Sequence, residues 1–166
     1  MLVPSKGPTA EERLEVMQAA LNGVAQRPDA NDLSREMARF RRPHDDIFPA
    51  DVFLDLAADA LDVAGVTRAE PLEYAGIRER FLPECEFRGN TDHQKSHYAL
   101  RAAAMIHGGV RPDLGEDAGW WRVGNLPLFA LLAFVAYVRV AAERNGESVT
   151  AIARRIAQRR GVDVSV

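Results

Sequence analysis

The sequence predicts an all-α fold, a single-domain bundle of about seven helices around a buried central helix. Three observations predict this class. Apolar residues recur at helical spacing in most segments, and capping residues with Gly or Pro stops bound those segments. One long segment is apolar on every side, and no run of residues alternates with the two-residue period of a strand.

The segment that is apolar on every side runs from Leu126 to Val138 and is interrupted only by Pro127 and the hydroxyl of Tyr137. A helix without a polar face is either the core of a bundle or a membrane span. The run covers about 13 residues before Arg139, whereas a bilayer requires roughly 20. We therefore expect a buried core helix and no membrane span.

Capping residues predict where the first two helices begin. Thr9 and Glu12 form a Thr-x-x-Glu capping box, and the apolar spacing behind it continues until Pro28. Asp32 is expected to cap a shorter second helix, which stops before Pro43 because the residue preceding a proline avoids the helical region.

Similar signals mark the ends of the remaining helices. Capping boxes are predicted at the starts of the fourth and fifth helices, and glycine or proline lies near most of the ends. The predicted third to seventh helices are Pro49 to Ala64, Thr67 with Glu70 to just before Pro83, Thr91 with Gln94 to His107, Leu126 to Arg144, and Ser148 to Arg160.

Length and composition predict a cytoplasmic protein of one domain. The 166 residues fit a single domain, of which residues 1–8 are expected to form a flexible tail. The lone cysteine, Cys85, cannot form an intrachain disulfide, and the N-terminal residues lack the apolar core of a signal peptide. A net charge of −3 disfavours nucleic acid as a partner. Abundant arginine and alanine suggest a bacterial source.

Three histidines, His93, His97 and His107, share one side of the fifth predicted helix. His93 and His97 are one turn apart, a spacing that lets two imidazoles bind one Zn²⁺ ion. Further ligands would have to come from nearby residues such as Cys85. Because two histidines supply half of a tetrahedral site, we expect structural or interfacial histidines and no cofactor, with a zinc site as the alternative.

Three pairs of residues place four or five positions between an arginine and a histidine. They are Arg39 and His44, Arg88 and His93, and Arg101 and His107. The pattern resembles the Arg-x4-6-His motif of the HEPN ribonucleases, which are small all-helical dimers that cleave RNA with that pair. The resemblance implies an RNA-cleaving dimer, and the spacing alone does not select one pair.

The third predicted helix carries Asp51, Asp55, Asp59 and Asp62 along one side. The expected role is a solvated acidic face. The alternative is Mg²⁺ coordination of the kind found in helical nucleotide pyrophosphatases, for which Glu12 and Glu15 would be the available second acidic pair.

Trp120 and Trp121 occupy a long irregular segment before the central helix and are the predicted partner or ligand contact. No catalytic pattern has firm support, so the sequence favours a non-enzymatic protein-interaction or small-ligand-binding domain with a protein partner or a second copy of itself. The alternative is a small metal-dependent hydrolase or HEPN-like ribonuclease centred on His93 and His97.

Overall fold

In the computed structural model the described residues are 7–27, 29–42, 47–85, 89–112 and 126–165, with backbone only for 89–93. These residues form seven α-helices and no strand, which confirms the predicted fold class. The helices are α1 (Ala10–Gln26), α2 (Ala30–Met37), α3 (Ala50–Val63), α4 (Tyr74–Phe81), α5 (Gly89–His107), α6 (Leu126–Asn145) and α7 (Val149–Arg160).

Helix α6 is the buried centre of the bundle, as its sequence predicts. It contacts α2, α3, α4, α5 and α7, most extensively α3. Phe134 and Tyr137 are fully buried, and the Tyr137 hydroxyl donates a hydrogen bond to the carbonyl of Leu100 on α5 at 2.7 Å. By length and composition α6 could cross a membrane, but 78% of its most apolar 18-residue window is buried inside the protein. Packing within the bundle therefore accounts for its apolar character.

The predicted start of the first helix and both ends of the last are confirmed. The Thr9 hydroxyl accepts a hydrogen bond from the Glu12 amide, and the Glu12 carboxylate accepts one from the Thr9 amide, completing the capping box. Ser148 caps α7, which ends at Arg160.

The prediction that Asp32 caps the second helix is wrong. Asp29 is the cap, and its carboxylate accepts hydrogen bonds from the amides of Asn31 and Asp32. Both aspartates have suitable side chains, so composition alone does not separate them. The helix also ends earlier than expected, at Met37, and continues as a 3₁₀ turn over Ala38–Phe40.

Two predicted capping boxes are also wrong. Thr67 and Glu70 form a turn in which the Thr67 carbonyl accepts from the Glu70 amide, and α4 begins only at Tyr74. The Glu70 carboxylate binds Arg144 of α6, a tertiary contact that a local pattern does not reveal. Thr91 lies inside α5, which begins at Gly89, since a threonine three residues before a glutamine also occurs within helices.

Helices α3 and α5 end in the same kind of turn. Gly65 and Gly109 both have positive φ angles, 72° and 83°, which cost glycine less than any other residue. The amide of Val66 reaches the Leu61 carbonyl at 3.1 Å, and the amide of Val110 reaches the Met105 carbonyl at 2.9 Å. These are Schellman turns, and they direct the chain after each helix into a defined path.

Replacing Phe134 by Ala is expected to lower the free energy of unfolding by about 3 to 5 kcal/mol, because the change opens a cavity at the centre of the bundle. Urea unfolding of the full chain measures this loss. Leu14→Ala is the control, since Leu14 is 42% exposed and should cost less than about 1 kcal/mol. A loss for Phe134→Ala as small as that of the control would contradict the central position of α6.

Candidate functional site

The acidic side of α3 is not the solvated face that the sequence predicts. Asp55 and Asp59 are only 7% and 9% exposed. The helices packed around α3 supply arginines to these carboxylates, and a charge that is removed from water requires such a partner. Sequence spacing shows which residues share a helix face but not whether a neighbouring helix covers that face.

Arginines from three parts of the chain bind these two aspartates. Arg160 of α7 donates to both oxygens of Asp59, at 2.6 and 3.0 Å, in a forked geometry. Arg111, which follows α5, lies 3.1 Å from Asp55, and Arg13 of α1 lies 3.7 Å from the same carboxylate. The two aspartates thus join α3 to α1, to α7 and to the segment after α5.

The outer members of the row are paired as well. Arg13 binds Asp51 at 2.6 Å, and Arg159 binds Asp62 at 2.5 Å. A Mg²⁺ ion at this face would have to displace these guanidinium groups from the carboxylates. The arrangement is that of a network that stabilises the packing of helices.

Burial is costly for Asp55. Desolvation raises the pKa of its carboxyl above the ordinary value, and this effect outweighs the opposing attraction of Arg111 and Arg160. The folded state therefore favours the neutral form of Asp55 more than the unfolded chain does, although Arg111 and Arg13 contact its carboxylate.

These ion pairs line a groove of about 360 Å³, the ion-pair groove, between the C-terminal ends of α3, α5 and α7. Its walls contain Asp55, Asp59 and Asp62 together with their arginine partners Arg111, Arg160 and Arg159. The charges of these six side chains balance.

A second groove, the basic groove, adjoins the first and has a volume of about 330 Å³. Arg68 follows the Schellman turn of α3, and Arg101 and His107 lie on α5. Arg68 and His107 line both grooves. Apolar wall residues are Val66, Leu72, Tyr74, Ala104, Met105 and Val110.

The basic groove has surplus positive charge. Within the part of the chain that the structure describes, neither Arg68 nor Arg101 forms an ion pair, and both are exposed. Glu70 lines the groove, but its carboxylate is bound by Arg144. The Arg68 guanidinium packs beside Gly109, where an added Cβ would lie 3.6 Å from one of its nitrogens. Two guanidinium groups and an imidazole therefore face a small, partly apolar groove.

The predicted metal ligands are placed only in part. His93 and His97 lie one turn apart on α5, and His97 is half-buried, but the side chain of His93 is outside the described residues. No cluster of three histidine, cysteine or acidic side chains that could hold a metal occurs among the residues described. Burial raises the pKa of the Cys85 thiol to about 12, so the neutral thiol dominates near pH 7. The zinc site stays a prediction.

Trp120 and Trp121, the predicted contact residues, lie outside the described residues, as do His44 and Arg88 of the arginine and histidine pairs. Arg101 and His107 are the one pair of the three whose side chains are both described, and both line the basic groove. The sequence therefore indicated two of the three basic side chains of this groove through their spacing. It gave no signal for Arg68, whose place depends on the turn after Gly65.

Comparison of the chain with protein-family models, with curated proteins and with solved structures finds no match. The fold and the geometry of the two grooves are therefore the basis for the proposals below.

Replacing Asp55 by Asn is expected to change how stability depends on pH. The folded state raises the pKa of this carboxyl above 3.8, so the folded protein binds the proton more tightly than the unfolded chain does. The wild type consequently loses stability as the pH rises from 3.8 through the folded-state pKa, and the Asn variant has no such loss.

Urea unfolding at about pH 3.5 and about pH 7 measures the effect. Relative to the wild type, Asp55→Asn should be more stable at the higher pH than at the lower pH. Asp62→Asn is the control, because Asp62 is exposed. A difference that moves in favour of the wild type as the pH rises would show that the arginines outweigh desolvation.

Proposed function

We propose that this protein is a non-enzymatic binding domain whose ligand is a small organic anion, a phosphate or carboxylate with an apolar part, held in the basic groove. The observation that carries the proposal is the surplus of positive charge there. Arg68 and Arg101 are free of ion pairs among the described residues, whereas the aspartates of the ion-pair groove are each bound by an arginine.

The chemistry of the lining supports an anion. Guanidinium groups bind phosphate and carboxylate oxygens with two parallel hydrogen bonds, and such charge-assisted bonds are stronger than neutral ones. The apolar wall around Leu72, Tyr74 and Met105 suits the organic part of the ligand. The volume of about 330 Å³ is within the range of small-molecule sites.

The protein is expected to bind phenyl phosphate more tightly than inorganic phosphate, because only the former has a part for the apolar wall. Arg101→Gln should weaken the binding of phenyl phosphate about tenfold or more, equivalent to at least about 1.4 kcal/mol, through loss of a charge-assisted contact. Isothermal titration calorimetry at low ionic strength measures both affinities, and added salt should weaken them.

Arg154→Gln is the matched control for this experiment. Arg154 is an exposed arginine of α7 that lines neither groove, so its replacement changes the net charge equally and should leave the affinity within about twofold. Equal weakening by both variants, or no binding of phenyl phosphate to the wild type at millimolar concentration, would refute the proposed ligand class.

A second candidate function, RNA cleavage, uses residues of the same groove. Arg101 and His107 have the spacing of the HEPN motif, and both line the basic groove. In such an active site Arg101 would bind an RNA phosphate, and His107 would transfer a proton. The motif's imidazole is the kind of group that serves as general acid or base near neutral pH.

The binding-domain proposal predicts no cleavage of a single-stranded RNA oligonucleotide by the purified full chain. Gel analysis after prolonged incubation tests this. RNA cleavage that is lost in His107→Ala and retained in His97→Ala would show that the protein is a ribonuclease and not a non-enzymatic binding domain. Cleavage lost in His97→Ala and retained in His107→Ala would instead favour the enzyme centred on His93 and His97.

Several properties of the protein that its sequence indicates stay predictions. They include self-association or a protein partner through Trp120 and Trp121, a cytoplasmic location and a bacterial source. They also include the expectation that no cofactor is bound. The binding-domain proposal does not require any of them.

A further inference from the structure

Glu70 lies at the edge of the basic groove. Of the described residues that line this groove, Glu70 is the one carboxylate. It also lines the neighbouring groove between the α3–α4 connector, α4 and the end of α6. Glu70 therefore lies at the boundary between Arg68 and Arg101 on one side and Arg144 on the other.

Arg144 binds the Glu70 carboxylate from the side of α6. Its guanidinium donates to both oxygens of Glu70, one of them at 3.2 Å, in a forked pair near the end of α6. This hydrogen bonding lowers the pKa of Glu70. Because α6 is fixed by the core, Arg144 has a defined position from which to hold the carboxylate away from the basic groove.

We propose that Arg144 is a positioning residue that keeps the basic groove open to an anion, and that Glu70, once released, closes the groove by pairing with Arg68 or Arg101. The inference rests on the proposed anion-binding function. A carboxylate tethered at the edge of the groove competes at a high effective concentration. The apparent affinity for a ligand falls by the fraction of molecules in which the groove is closed.

A second ion pair provides a matched control. Arg80 of α4 binds Glu143, the residue before Arg144, across the same neighbouring groove. Neither Arg80 nor Glu143 lines the basic groove. Arg80→Gln removes the same charge as Arg144→Gln from the same groove and releases Glu143 instead of Glu70. Any difference between the two variants therefore reports on Glu70.

Affinity for phenyl phosphate, measured on the full chain by calorimetry at low salt, tests the proposal. Arg144→Gln should weaken binding about five- to tenfold, and Arg80→Gln by less than about twofold. Glu70→Gln should bind at least as tightly as the wild type, and the Arg144→Gln, Glu70→Gln double variant should match Glu70→Gln. A double variant as weak as Arg144→Gln alone would overturn the proposal, because the loss would then not require Glu70.

A ligand-independent measurement separates this proposal from the proposed function. NMR titration should find a lower pKa for the Glu70 carboxyl in Arg144→Gln than in the variant that also carries Arg68→Gln and Arg101→Gln, since Arg68 and Arg101 then replace Arg144. The backbone hydrogen bond from Thr67, which also lowers this pKa, is common to both variants. A Glu70 pKa that the two further substitutions leave unchanged would refute the closing step. If the wild type binds no phenyl phosphate, the proposed function fails, and the titration still decides where Glu70 goes.

Discussion

Helix α6 has no polar face along most of its length, and the other helices must therefore surround it. Five helices pack against it, and the buried Tyr137 hydroxyl, bonded to the Leu100 carbonyl, joins it to α5. A buried hydroxyl without a partner would cost free energy, so this hydrogen bond restricts how α5 can rotate and slide on α6. The packing of α3 and α5 on α6 places their C-terminal ends, with the Gly65 and Gly109 turns, at the same end of the bundle. Both grooves depend on that placement.

The ends of three helices explain why arginines gather there. The C-terminal ends of α3, α5 and α7 carry partial negative charge, which favours nearby cations. In the ion-pair groove, Asp55, Asp59 and Asp62 neutralise those arginines and thereby connect α3 to its neighbours. In the basic groove the only lining carboxylate among the described residues, Glu70, is bound by Arg144. Among the described residues, one end of the bundle thus combines a structural network with a groove that has surplus positive charge.

The sequence predicts the helices well where a local interaction decides the outcome. The apolar run of α6, the Thr9 capping box and the glycines at the ends of α3 and α5, Gly65 and Gly109, depend on residues close in the chain, and the structure agrees with them. Predictions that depend on tertiary contacts are less successful. Glu70 matches a capping box but binds Arg144, 74 residues away, and the row of aspartates on α3 is covered by arginines of α1 and α7. For the same reason the spacing of Arg101 and His107 could be noted from the sequence, but their shared groove with Arg68 could not.

We propose that the packing of α3 and α5 on α6 creates one anion-binding groove at this end of the bundle. A heteronuclear NMR titration of the full chain with phenyl phosphate tests it most directly. We expect saturable shifts of backbone amides confined to residues 66–74 and 101–111, with α6 amides before Val138 unaffected. Shifts concentrated elsewhere, on α1 or α2 for example, or none at saturating concentration, would contradict it.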